Sequence, residues 1–151
     1  MSERGAPMTI ARHLVDVHLL LVREARVLLS LRRSGDEYDG RWHLPSGKLE
    51  HGESATAGLA REAWEETGIR LDPARVRLVH VAHVTAPARE PRLGLFFRAD
   101  TWSGTPDNRE PDKCYALRWF PLADLPDNLI DYSATGIHAL SHPSEYSEAG
   151  W

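Results

Sequence analysis

Apolar positions along the chain fall into short runs separated by segments rich in Gly, Pro and Asp. His13 to Val22 is dense in Val and Leu and predicts a strand. Arg26 to Arg33 predicts a second, with Arg23 to Ala25 at the turn of a hairpin. Ser34 to Arg41 carries Gly35, Asp36, Asp39 and Gly40 and reads as a polar loop. Trp42 to Pro45 is a short extended piece, because Pro45 disfavours helical backbone at Leu44. The pattern then changes. Ala55 to Thr67 is full of Ala, Leu, Glu and Arg, all good helix formers. Ser54 stands where an N-cap belongs and Gly68 where the chain leaves the helix. Val76 to Thr85 and Leu93 to Trp102 predict further strands joined by a loop containing Pro and Arg. Ser103 to Asp112 is another loop, Tyr115 to Phe120 a strand candidate, and Ser133 to Ser141 a closing helix. Strands on both sides of a strong helix imply a mixed α/β domain. Residues 1–12 are expected to be a flexible leader, 13–141 a single domain, and 142–151 a polar tail, mobile apart from its aromatics.

Composition narrows this picture. A chain of 151 residues with 42% hydrophobic and 26% charged residues is an ordinary globular balance and fits one domain with a real core. The single cysteine, Cys114, allows no intrachain disulfide, which suits a reducing cytoplasm. The apolar run Leu14 to Val22, interrupted by Asp16 and His18, is too short to span a membrane. A formal net charge of −4 argues against sequence-independent binding to a nucleic acid polymer. It leaves room for a small phosphorylated ligand held through cations.

Glu62, Glu65 and Glu66 stand at i, i+3 and i+4 of the predicted helix and therefore share one face. Carboxylates so spaced repel each other, which a hard divalent cation such as Mg²⁺ or Mn²⁺ would reverse. A solvated acidic helix surface shows the same three residues, so on their own they decide nothing. Arg61, beside this face, is placed to pair with Glu53 and fasten the preceding loop to the helix.

The whole stretch GKLEHGESATAGLAREAWEETGI, Gly47 to Ile69, says more. It resembles the Nudix box at every fixed position: Gly47, Glu53, Arg61, Glu62, Ala63, Glu65, Glu66, Gly68 and Ile69. The approach GRWHLPSGKLE and the segment WFPLADLP are also similar to the entry and closing parts of Nudix domains, although Ser46 replaces a common glycine. The resemblance covers about residues 13 to 140. It implies an α-β-α arrangement, a mixed sheet between helices, and hydrolysis of a diphosphate linkage in a nucleotide. It implies metal binding by Glu62, Glu65, Glu66 and the backbone carbonyl of Ser46, the last provided that Ser46 keeps a negative φ. Gly47, Glu53, Arg61 and Gly68 would be structural.

For the general base the resemblance offers Glu66 first, with Glu65 in the same cluster, and Glu110 second, in the loop from Ser103 to Asp112. Arg33, or else Arg32, would meet a phosphate at the end of the second strand. Strand alternation puts the two on different sides. The short layout favours the MutT-type side of the family, and a homodimer is common there. Two other readings remain: a non-nucleotide prenyl or sugar diphosphate, and a nucleotide-binding module without catalysis. The intact glutamates weigh against the second. The loops Ser34–Arg41, Thr85–Arg92 and Ser103–Asp112 are expected to line the mouth of the site. Trp42, Phe96 and Phe97 read as core before they read as base-stacking groups.

Overall fold

The computed structural model describes residues 9–151, so most of the expected leader lies outside the described residues. Residues 9–12 adopt no regular element. Thereafter β1 (Leu14–Arg23) and β2 (Arg26–Arg32) are followed by the short strands β3 (Trp42–His43) and β4 (Ser46–Lys48). Helix α1 (Ala55–Thr67) leads through a 3-10 turn to β5 (Arg77–Val84), β6 (Arg92–Ala99) and β7 (Cys114–Pro121). Helix α2 (Asp131–Ser141) and β8 (Tyr146–Ala149) close the chain.

The eight strands form one mixed sheet with two branches. The path runs β3-β2-β1-β6-β5-β8, while β4 pairs with β1 and β7 with β2. Strands β1 and β6 are parallel along their length, from Leu14 opposite Arg92 to Leu21 opposite Ala99. The β1–β2 hairpin is different. It is paired only at Val22↔Val27 and Arg23↔Arg26. Beyond that the two strands part. The free edge of β1 takes β4 instead, Asp16 to His18 lying against Lys48 to Ser46. Strand β2 takes β3 and β7. A gap therefore opens between the beginning of β1 and the end of β2.

Alternation along β1 explains the layers. Val17, Leu19 and Leu21 enter one core with Leu28, Leu59, Ala63 and Ile69, which seats α1. Leu20 and Val22 enter the other with Leu44, Phe96 and Ile137, which seats α2. Gly136 matters to that second packing, because a Cβ there would lie 1.9 Å from the Phe96 ring. Helix α1 is bounded as its caps predict. The Ser54 hydroxyl accepts the N–H of Ala57, and Gly68 adopts φ 74° while its N–H reaches the Trp64 carbonyl.

Two expectations change. The segment 142–151 does not behave as a mobile tail, because β8 adds a parallel strand to the edge of β5, from Val81↔Tyr146 to Val84↔Ala149. The backbone pairing that holds it leaves no hydropathy signature in a four-residue strand. The last helix begins at Asp131, two residues before the expected Ser133. Strand β4, after Pro45, forms on the edge of β1 that β2 leaves open.

The β1–β2 turn carries strain that can be released. Glu24 and Ala25 sit at φ 53° and 58°, the left-handed pair that a tight hairpin needs and that side chains disfavour. Replacing Glu24 by Asn and Ala25 by Gly should stabilise the protein by about 1 kcal/mol, a gain in melting temperature of roughly 2–4 °C. Calorimetric melting of the double variant checks this. An unchanged or lower melting temperature contradicts the strain argument.

Candidate active site

The gap between β1 and β2 is a cleft of about 890 Å³. The acidic face of α1 forms part of it, and β4 brings the loop onto that face. Gly47 permits the approach: a Cβ there would lie 2.0 Å from the carboxyl carbon of Glu62. Any side chain at 47 would push β4 off the helix or displace Glu62. Ser46 is absent from the residues of positive φ, so it holds the negative φ that its expected role requires. Its N–H donates to Oε2 of Glu66 at 3.2 Å.

Arg61 organises the cluster. Its guanidinium donates to Glu53 Oε1 at 2.7 Å and Oε2 at 3.0 Å, a two-pronged pairing that ties the 49–53 loop to the helix. It also donates to Glu62 Oε1 at 2.8 Å, Glu65 Oε2 at 3.3 Å and the Lys48 carbonyl at 3.3 Å. The hydrogen bonds from Arg61 hold the Glu53 carboxyl at about 2, below its ordinary value. Those to Glu53, with the neighbouring Glu62 charge, hold the guanidinium proton more tightly than usual.

Glu66 has no such support and takes part in no ion pair among the described residues. Burial, then the charges of Glu62 and Glu110, push its carboxyl well above the ordinary value. Glu62 is also raised, by burial first, with Glu65 and Glu110 adding to it and Arg61 opposing. Glu110, 44 residues beyond Glu66, is thus brought to the cluster by its loop, where Lys113 Nζ lies 3.4 Å from its Oε2. Among the described residues no three acidic, His or Cys side chains are preassembled into a coordination shell. Arg61 holds Glu62 and Glu65 to itself. The donor set nevertheless fits a hard cation: carboxylate oxygens crowded together, with the half-buried Glu66 in no ion pair among the described residues.

Arg32 and Arg33 both line the cleft, contrary to the expectation that they face different sides. Strand β2 ends at Arg32, so Arg33 lies beyond the strand whose alternation that expectation assumed. Arg32 is tied down by Asp36 at 2.9 Å. Arg33 donates to the Pro111 carbonyl at 3.3 Å and lies over the Tyr115 ring at 5.3 Å. The three expected loops all contribute lining residues, among them Tyr38, Arg89 and Glu110. The cleft also holds residues the motif does not mention: Asp16, His18, His43, Arg92 and Tyr132. Asp16 and His18 were visible in the sequence as polar breaks in an apolar strand. Nothing in the sequence placed Arg92 or Tyr132 beside them. Trp42, Phe96 and Phe97 are core, at 7%, 0% and 6% exposure. A separate cavity of about 680 Å³, behind α2, contains none of the glutamates.

With this geometry the family assignment can be tested, and the NUDIX domain model matches residues 12–140. The chain belongs to the Nudix family. It is 48% identical over 158 aligned residues to a MutT-like protein of Streptomyces ambofaciens, covering 97% of this chain and 94% of that protein. It is 31% identical over 108 residues to the oxidized purine nucleoside triphosphate hydrolase of Mus musculus, covering 72% of this chain and 66% of that protein. Among solved structures it is similar to the MutT NUDIX hydrolase of Burkholderia pseudomallei, with a TM-score of 0.77 and 34% identity over 83% of this chain and 95% of that one. The protein is a Nudix hydrolase with the α/β fold of that family. No helix among the described residues is long and apolar enough to cross a membrane.

Two linked pH effects follow for this Nudix domain. Raised carboxyls at Glu66 and Glu62 favour the fold at low pH, and this contribution is lost as pH rises above the ordinary value of 4.5. Without metal at pH 7.5, Glu66→Gln should therefore melt higher than the parent, by about 2–4 °C for each kcal/mol relieved. A lower melting point would show that Glu66 is not an uncompensated buried charge. His43 runs the other way. Burial, aided by the Arg32 charge, lowers it to about 4 from 6.5. Its contribution is complete above pH 6.5 and disappears as pH falls through about 4. Because the carboxyls and His43 act in opposite directions, the difference is what checks this: in denaturant titrations from pH 7 to 4, His43→Phe should lose less stability, or gain more, than the parent, and identical pH dependence would contradict the argument.

Proposed function

We propose that this Nudix hydrolase cleaves a diphosphate linkage in a nucleoside triphosphate, or in a nucleoside diphosphate joined to another group, with Mg²⁺ as cofactor and Mn²⁺ able to replace it. The observation that carries the reading is Glu66: a half-buried carboxyl pressed by two other carboxyls and in no ion pair among the described residues. Such an arrangement costs stability unless a cation arrives. The intact motif around it supports the same conclusion, as do the relatives named above.

In this reading Glu62, Glu65 and Glu66 offer the carboxylate oxygens for the metal, joined by the Ser46 carbonyl. When bound, Mg²⁺ neutralises phosphate oxygens and acidifies a coordinated water. Arg61 keeps Glu53, Glu62 and Glu65 in register while they exchange partners. Glu66, whose affinity for a proton is already high, accepts the proton of the attacking water. Glu110 is the second group placed to do so. Arg33 and Lys113 also line the cleft, where cations attract the anionic end of the substrate. Most of the acceleration in such chemistry comes from positioning and charge stabilisation.

Gly47 and Gly68 act through the backbone. A Cβ at Gly68 would meet Arg109 at 2.7 Å, besides straining its φ of 74°.

The deciding measurement is hydrolysis of nucleotides and diphosphate conjugates with Mg²⁺, products identified by chromatography. At least one nucleotide should be split at a diphosphate bridge. Glu66→Gln should reduce kcat by about 10²–10⁴-fold, the usual worth of a general base. Arg33→Ala should raise KM with a smaller effect on kcat. Turnover of prenyl or sugar diphosphates alone would replace the nucleotide reading. Mg²⁺ binding without any turnover would favour a binding module.

A further inference from the structure

The motif accounts for one wall of the cleft. On β1 the cleft also holds a histidine whose chemistry the motif does not use. His18, on β1, is 4% exposed and lines the cleft. Its ring stacks on Phe96, centroids 4.3 Å apart and planes 11° apart, and the Tyr132 ring meets it edge-on at 4.6 Å. Neither Nδ1 nor Nε2 has a hydrogen-bond partner. Buried polar groups in native proteins are normally paired, and each exception asks for an explanation.

Two of the neighbouring polar groups, Tyr132 and Arg92, are turned to Asp16 rather than to the ring. Tyr132 donates its hydroxyl to Asp16 Oδ2 at 2.9 Å. Arg92 lies along the same carboxylate, Nε 2.6 Å from Oδ2 and Nη2 donating to Oδ1 at 3.2 Å. This closed group braces His18 without bonding to it. Burial, with the His43 and Arg92 charges adding to it, lowers His18 to about 3, so the imidazole is neutral at physiological pH. A neutral imidazole carries one donor and one acceptor and chooses its tautomer to suit a ligand.

We propose that His18 is a substrate-binding residue that hydrogen-bonds the uncharged heterocycle of a nucleoside, held in place by the Asp16–Arg92–Tyr132 group. The proposal rests on the diphosphate reading for the orientation of the ligand, since the glutamates take the anionic end. Its chemistry selects against the other diphosphates considered. A prenyl chain would leave both imidazole nitrogens unpaired, and sites built to hydrogen-bond discriminate strongly against ligands that cannot answer them. A second phosphate is disfavoured by a neutral ring beside the Asp16 carboxylate. The partly exposed Tyr132 ring beside His18 favours a planar heterocycle over a free sugar.

The test separates this reading from catalysis. Nucleosides without phosphate (adenosine, guanosine, 8-oxoguanosine, cytidine and uridine) and free ribose are titrated calorimetrically into the parent protein and His18→Phe, without metal. Phe keeps the stacking on Phe96 and removes both nitrogens. At least one nucleoside should bind the parent, ribose should not, and His18→Phe should weaken nucleoside binding by about tenfold at an unchanged melting temperature. His18→Asn should recover part of the affinity. Should His18→Phe melt well below the parent, the comparison moves to His18→Asn against His18→Leu, both of which lose the ring. Equal nucleoside affinity with and without a hydrogen-bonding group at 18 overturns the proposal, as does a parent that binds no nucleoside or binds ribose equally well. Hydrolysis that depends on Glu66 while nucleoside affinity ignores residue 18 would defeat this inference alone. Nucleoside affinity that depends on His18 in a protein without hydrolytic activity would defeat the functional reading and leave His18 in its role.

Discussion

The parting of β1 from β2 is the constraint from which the site follows. The hairpin is zipped for only two residue pairs next to its turn. Past Val22 and Val27 each strand finds other partners, β4 for one and β3 with β7 for the other. An ordinary hairpin continued to its ends would have closed the cleft. Because the backbone bonds are satisfied elsewhere, the opening leaves no bare sheet edge on its two flanks. Strand β4 then carries the loop from Ser46 to Lys48 directly onto α1, and only a glycine at 47 allows the contact.

Onto this opening the helix places an electrostatic conflict. Arg61 resolves part of it by serving Glu53, Glu62 and Glu65 together. Glu66 is left with the Ser46 N–H and with carboxyl neighbours that raise its affinity for a proton. The conflict is a cost in the free protein, and the same feature makes the position receptive to a cation and to the proton of a water. Stability and function oppose each other at this residue, which is a common arrangement at active sites.

The two walls of the cleft differ in kind. The α1 wall is anionic and adjoins Arg33 and Lys113. The β1 wall is neutral, with His18 and His43 both uncharged near pH 7 and Asp16 compensated by Arg92. A ligand with a charged end and an uncharged polar end matches this division. The loops at the rim join across it, where Arg89 pairs with Glu37 and lies over the Tyr38 ring at 4.9 Å. The C-terminal strand β8 ends at the same rim, Ala149 being one of the lining residues.

Much of this was legible in the chain. Helix α1 with its Ser54 and Gly68 caps was readable because it depends on contacts within one turn or two. The strands β1, β2, β5, β6 and β7 were readable because runs of apolar residues record which face is buried. The glutamates of the motif were readable because their spacing is a local property of a helix. What the tertiary structure alone decided involves residues far apart in sequence. Strand β8 exists because β5 offers an edge, and backbone pairing asks little of the four side chains involved. Strand β2 ends at Arg32, so alternation does not govern Arg33, and both arginines line the same cleft. Glu110 meets Glu62 and Glu66, and Arg92 and Tyr132 meet Asp16, through folds of the chain that no local pattern encodes. Local spacing determines where a helix puts its carboxylates; only long-range packing determines what faces them, because that depends on which strands run out of partners and where.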